Sequence, residues 1–192
     1  LELGETLAAR LAEAGCDVAQ EKTRLAALRE QYHALLETAE AGAPEERRLL
    51  EAARLCKRGL FYKDPALAPL RRLLFVKRHP FNPSHNYSVI LDGHWRPGGA
   101  VCRLEIPRRD GSLRPDKAQV ISLFEAGDGV ARTPMADFEC NNVYFGYQAT
   151  RDGHFHLYRV GPEGGAATQL TDGPFHDYWP CPLPDGGLAF IS

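Results

Sequence analysis

The sequence predicts a mainly β protein with an N-terminal α-helical hairpin, the β part being an incomplete β-propeller. Three observations predict this. Residues 5–40 carry a heptad-like apolar pattern that ends in Gly42-Ala43-Pro44. From residue 72 onward, short apolar runs alternate with turns rich in Gly, Pro, Asp and Asn. Within that part, a strand–turn–strand order recurs at an offset of about 46 residues, in the range of propeller repeats.

The helical part comes first. Leu7, Leu11, Ala14, Val18, Leu25, Leu28, Tyr32 and Leu35 follow an alternating four-three spacing, interrupted at Glu21. The positions between them are rich in Glu, Arg, Gln and Ala, which favour helix. Gly15 weakens the helix locally, and Pro44 suits the first turn of a second helix over Pro44–Arg58. Leu49, Ala52, Ala53 and Cys56 form its apolar face, and Gly59 reads as its C-cap. Residues 1–59 are thus expected to form a hairpin that packs on its own protein. A two-chain coiled coil, giving self-association or a protein partner, is the other reading. Residues 60–71 read as a linker, because Pro65 and Pro69 prevent regular structure.

Residues 72–192 hold about two to three blades. Leu73–Val76 is a buried-type strand, followed by the long loop FNPSHNYSVILDGHWRPGG. Ala100–Ile106 and Ala118–Phe124 are antiparallel strands flanking a polar turn at Arg108–Lys117. The first copy of the repeat runs through Leu123-Phe124, Asp128-Gly129, Pro134–Cys140, Asn141-Asn142 and Val143–Gly146. His154–Val160 and Ala167–Leu170 follow as strands. The second copy lies in QLTDGPFHDYWPCPLPDGGLAFIS, starting at Gln169, where Pro184–Gly187 turns into Leu188–Ile191. Asn141-Asn142 stands where Asp185-Gly186 stands, since Asn tolerates the left-handed conformation. A propeller closes with roughly four to eight blades, so the strands are expected to leave unpaired edges. The chain opens on Leu1 rather than Met and stops inside a repeat; it reads as a piece of a longer protein.

Composition narrows the function. The chain is 44% hydrophobic and 25% charged, with a formal net charge of -2, which argues against binding nucleic acid through bulk charge. No apolar run approaches the ~18 residues of a membrane span. The five cysteines, Cys16, Cys56, Cys102, Cys140 and Cys181, are odd in number and widely spaced, neither a disulfide framework nor a zinc ribbon. No Cys-x-x-Cys-His, Gly-x-Ser-x-Gly, P-loop or Gly-x-Gly-x-x-Gly occurs. No catalytic, cofactor-binding or metal residue is therefore assigned.

Two groups of side chains are candidates for chemistry. His79, His85 and His94, with Arg78 and Arg96, lie in or beside the long loop. Three imidazoles can ligate a transition metal, but the spacing fits no standard zinc motif, and bonding to loop backbone is the favoured role. His154, His156, His176 and Asp177 form the second group. His154 and His156 share a strand face, and a carboxylate can orient a histidine for metal binding or proton transfer. A structural network tying neighbouring strands is favoured here too.

Several motifs together resemble a known family. They are DPALAPLRRLLFVKRHPFNPSHNY from Asp64, RPGG before Ala100, DGVAR at Asp128–Arg132 and the segment from Gln169 to Ser192. Over about Asp64–Ser192 the chain is similar to the N-terminal propeller region of hydrazine synthase alpha-subunit-like proteins, with TolB-like (PD40) blades. The resemblance implies a large exported, periplasmic protein of planctomycete-type bacteria. It implies c-type haem, if any, in domains after the propeller, and partners in the remaining blades and domains. The expected function is a non-catalytic scaffold or binding module. The alternative is the propeller portion of a c-type haem redox enzyme whose haem sites lie outside this chain.

Overall fold

The computed structural model describes residues 1–38, 44–80 and 95–192. Tertiary contacts group the chain into two units. One comprises Leu1–Arg71 with Ile106–Ala118, the other Arg72–Glu105 with Gln119–Ser192.

The first unit holds α1 (Glu2–Glu13), α2 (Ala19–Thr38) and α3 (Pro44–Tyr62). The continuous helix expected over residues 5–40 is instead two. The cause is Gly15, which adopts a φ of 80°. Its N–H bonds to Ala12 O at 3.0 Å, and the Cys16 N–H to Leu11 O at 2.9 Å, the paired bonds of a Schellman motif. Asp17 then accepts the Ala19 N–H at 3.2 Å at the start of α2. The chain thus reverses within what looked like one seam, and the expected hairpin becomes three packed helices. Leu11, Val18, Leu25 and Leu28 are buried with Ala8, Cys56 and Leu60, whereas Ala14 and Tyr32 are exposed. Leu49, Ala52 and Ala53 pack against that core, as their spacing predicts.

Glu21, the interruption in the pattern, forms an ion pair with Lys63 at 2.6 Å. Arg29 grips Glu5 with two nitrogens and so links α1 to α2. Gly59 lies inside α3 rather than capping it. Burial of Leu60 at 0% exposure offsets the roughly 1 kcal/mol that an interior glycine costs a helix. Arg10 pairs with Asp64, whose carboxylate also accepts the Ala66 N–H at 3.0 Å. The Arg10 bond and that N–H hold the Asp64 carboxyl below the usual carboxylate range.

The polar turn expected at Arg108–Lys117 contains a small hairpin. Its strands are β3 (Arg108–Arg109) and β4 (Ser112–Leu113). Asp110 and Gly111 both take positive φ, 50° and 75°, as a two-residue hairpin turn requires. Arg108 donates to Leu67 O at 2.8 Å, and Leu113 is 3% exposed. Tertiary contacts group residues 106–118 with the helical unit.

The second unit contains three small antiparallel sheets. The first orders β1 (Arg72–Lys77), β2 (Ala100–Glu105) and β5 (Gln119–Glu125). The second is the meander β6 (Val130–Ala136), β7 (Val143–Gln148), β8 (His156–Val160) and β9 (Thr168–Gln169). The third is β10 (Tyr178–Pro182) with β11 (Leu188–Ile191). Among the described residues these sheets close into neither a barrel nor a complete propeller. The core joins Val101, Leu123, Ala131, Val143, Phe145 and Val160, with the Phe124 and Phe145 rings 4.8 Å apart. Arg103, only 7% exposed, is paired at 2.8 Å with both Glu105 and Glu163.

The internal repeat is written in the backbone. A bulge interrupts the β6–β7 ladder between Arg132 and Met135, and the β10–β11 ladder between Tyr178 and Cys181. Within these bulges Thr133 and Trp179 have φ of 47° and 49°, each followed by a proline. In the turns that follow, Cys140 and Gly186 have φ of 54° and 85°. Thr133 to Trp179 and Cys140 to Gly186 are both steps of 46 residues. The second turn is one residue shorter, so β11 matches β7 at a step of 45, with Leu188 in the place of Val143. The left-handed residue of the first turn is therefore Cys140, not Asn141 or Asn142. Asp137 fixes that turn: its side chain accepts the Asn141 N–H and the Asn142 amide, both at 2.7 Å.

Candidate functional site

The structure gathers the second group of candidate residues where the strand flanks of β8 and β10 meet. Its centre is Phe155, which is 0% exposed. The Phe155 N–H donates to His176 Nδ1 at 3.1 Å, and the Asp177 N–H donates to Phe155 O at 2.8 Å. Residues 176–177 thus satisfy both backbone polar groups of the buried Phe155, which would otherwise be orphaned. His156 Nδ1 lies 3.4 Å from the buried Asp177 Oδ2.

Rings complete the cluster. His154 meets His176 edge-on at 4.9 Å, and His176 stacks on Tyr178 at 5.4 Å and 15°. Tyr178 lies 5.3 Å from Phe155. The Arg132 guanidinium carbon sits 5.2 Å from the Phe155 ring centre, within cation–π range. Burial pushes the Arg132 pKa down, the nearby Tyr178 opposes that shift, and the charge of Arg78 adds to it.

The hydrogen bonds dictate protonation. Because His176 Nδ1 accepts an N–H, its proton resides on Nε2 and the ring is neutral. Burial, then the neighbouring His154 and His156, lower the His176 pKa, and Asp177 only partly opposes them. A ring whose Nδ1 is already committed is a fastener rather than a free base or ligand. The described residues hold no group of three or more His, Cys, Asp or Glu arranged to bind a metal ion.

The first candidate group is placed only in part. His85 and His94 lie outside the described residues. His79 is exposed, with its Nε2 beside Gly98, and Arg96 is exposed. His154 precedes β8 rather than lying on it, and its ring is 6.4 Å from that of His156. Sequence reasoning missed Arg132, Phe155 and Tyr178. The repeat itself carried the signal for two of them, since Arg132 and Tyr178 flank the matching bulges 46 positions apart.

The helical unit has its own cleft of about 770 Å³, lined by Lys63, Arg108, Arg109 and Arg114 among others. Its cations are engaged. Lys63 bonds Asp17 O at 2.9 Å, Arg108 bonds Leu67 O, and Arg114 pairs with Asp116 at 2.7 Å.

Comparison with protein-family models, curated proteins and solved structures finds no match for this chain. No helix among the described residues is long and apolar enough to cross a membrane.

Proposed function

We propose that this chain is a non-catalytic β-propeller segment, a scaffold or binding module of a larger exported protein of the hydrazine synthase alpha-subunit-like kind. One observation carries the reading: two strand pairs with the same bulge, the same left-handed positions and a step of 46 residues. Repetition of one sheet motif at such a period is the mark of radial architectures. The four-stranded meander β6–β9 has the strand order of one blade, and β10–β11 corresponds to the first half of another. The histidine cluster then serves to fasten successive blades. His176 is spent on the Phe155 backbone, and His156 faces the Asp177 carboxylate.

The sequence carries no motif for covalent attachment of a c-type haem. None of the five cysteines belongs to a Cys-x-x-Cys-His motif. In this reading any haem chemistry lies in other domains, and the partners of this segment are further blades and the rest of an exported polypeptide. The helical unit serves packing or assembly.

The test is a crystal structure of the full product of the native gene, with a visible spectrum of the same protein made in a host that attaches c-type haem. Four or more such sheets around a common axis would support the propeller reading, and an open stack of sheets would overturn it. A Soret band that survives denaturation would make the protein a haem redox enzyme with this segment as its propeller. A folded, complete protein without that band would leave the scaffold or binding module.

A further inference from the structure

We propose that the space over Gly146 is a binding site for one buried water molecule, which donates to the Asp177 carbonyl oxygen and shares a hydrogen bond with the Thr133 hydroxyl. The water joins β6 to the segment that leads into β10. The inference does not rest on the propeller reading.

Gly146 is the first observation. It is buried within β7, a strand paired on both sides. Glycine weakens such a strand, so it marks a turn of the backbone or the close approach of another group. Its φ is not in the left-handed region, so the backbone does not require it. Crowding does not require it either. An added Cβ would have Phe155 Cδ1 at 3.6 Å, the Asp177 carbonyl oxygen at 3.7 Å and Thr133 Oγ1 at 3.8 Å as its nearest atoms, all ordinary contact distances. Alanine would fit, so the glycine leaves room for one more heavy atom among the described residues.

The walls of that room name what fills it. Thr133 Oγ1 is buried and has no hydrogen-bond partner among the described residues. A buried hydroxyl left in that state costs the hydration it has lost. The bulge between Arg132 and Met135 brings it there, with Thr133 at a φ of 47° that a β-branched residue adopts only at a cost. The Asp177 carbonyl oxygen on the other wall has two lone pairs. A methyl group would satisfy neither oxygen. A water satisfies both, and two polar partners are enough to hold a buried one. Residue 177 is then fixed at three points: its N–H on Phe155 O, its carboxylate beside His156, and its carbonyl through the water to β6. The second copy of the repeat does not carry the feature, since Trp179 and Ile191 hold the positions of Thr133 and Gly146.

The test uses crystals of the full product of the native gene and of its Gly146→Ala and Thr133→Val variants. Native electron density should show one peak within about 3.2 Å of both Thr133 Oγ1 and the Asp177 carbonyl oxygen. That peak should be lost in both variants, in one because the methyl group takes its place and in the other because one partner is gone. Urea denaturation gives a second reading. Thr133→Val should lower the midpoint of the native protein, but leave it unchanged or raise it in the Gly146→Ala background, where the hydroxyl has already lost its water. Native density without a peak over Gly146, a Thr133 hydroxyl bonded directly to a protein atom, or a peak that survives Gly146→Ala would each overturn the proposal. An equal effect of Thr133→Val in both backgrounds would overturn it as well. The native density decides the matter even where a variant fails to fold.

Discussion

Phe145 and Phe190 occupy the same register position in two copies of one motif, yet the first is fully buried and the second is 42% exposed. The backbone around them is alike, down to the bulge and the left-handed turn residue. Local sequence therefore sets the shape of the strand pair, while burial is a gift of its neighbours. Phe145 has Phe124 on the adjoining sheet and Tyr158 on the next strand. That difference divides stability unevenly between two regions of the same design.

The strongest way to test the division is to empty both positions. Phe145→Ala should cost about 3–5 kcal/mol in urea denaturation, the usual effect of a large cavity. Phe190→Ala should cost less than about 1 kcal/mol, as expected of a partly exposed site. Equal losses would show that the second copy is as well packed as the first.

A smaller effect should follow from exchanging the left-handed residues. Gly186→Ala places a side chain at a φ of 85° with open space around it, so only backbone strain is added, about 1 kcal/mol. Cys140→Gly relieves the same strain and should gain about 0.5–1 kcal/mol, part of the relief being lost to a freer unfolded chain. Thermal melts of the two variants should move in opposite directions. Movement in the same direction would break the equivalence of the two turns.

The smallest effect expected is one of pH, and it should be confined to the second copy. Residue 176 is histidine where the first copy has Val130, 46 positions earlier. The folded state holds the His176 pKa below its ordinary value of 6.5, chiefly by burial. Such a group favours the fold when neutral. Its contribution is present above about pH 6.5 and is lost as the pH falls from there through the depressed folded value. Protonation of Nδ1 would also break the bond from the Phe155 N–H. Amide exchange at β10 should accelerate between pH 7 and pH 5 relative to β6, and His176→Gln should flatten that dependence. Equal acceleration in both strands would rule out His176 as the cause.

How much of this was legible in the sequence depended on whether the signal was local. The Pro-Asp-Gly turn and the strands around it could be read because glycine and aspartate announce a positive φ directly. The apolar face of α3 could be read from its spacing. The break at Gly15 could not, since the apolar period runs on across residues 14–18 while the chain reverses, and only the bonds to Leu11 and Ala12 reveal it. Cys140 was hidden because asparagine is the commoner left-handed residue and two of them follow it. The cluster around Phe155 is assembled from three separate stretches, near residues 132, 155 and 177, so no window of sequence contains it. Its histidines and Asp177 stood out by residue type, whereas Arg132 and Tyr178 needed the repeat to be aligned residue by residue.

The helical unit is completed by residues 106–118, which lie beyond β1 and β2 in the chain. That has a genetic consequence. A gene segment ending near codon 71 would move three helices to a new host without the hairpin that Arg108 ties to Leu67. The reverse exchange would leave an orphaned hairpin between two strands of a sheet. Recombination can therefore shuffle this unit only by two simultaneous excisions, so the helices and the first sheet are expected to be inherited together, as one cassette rather than two.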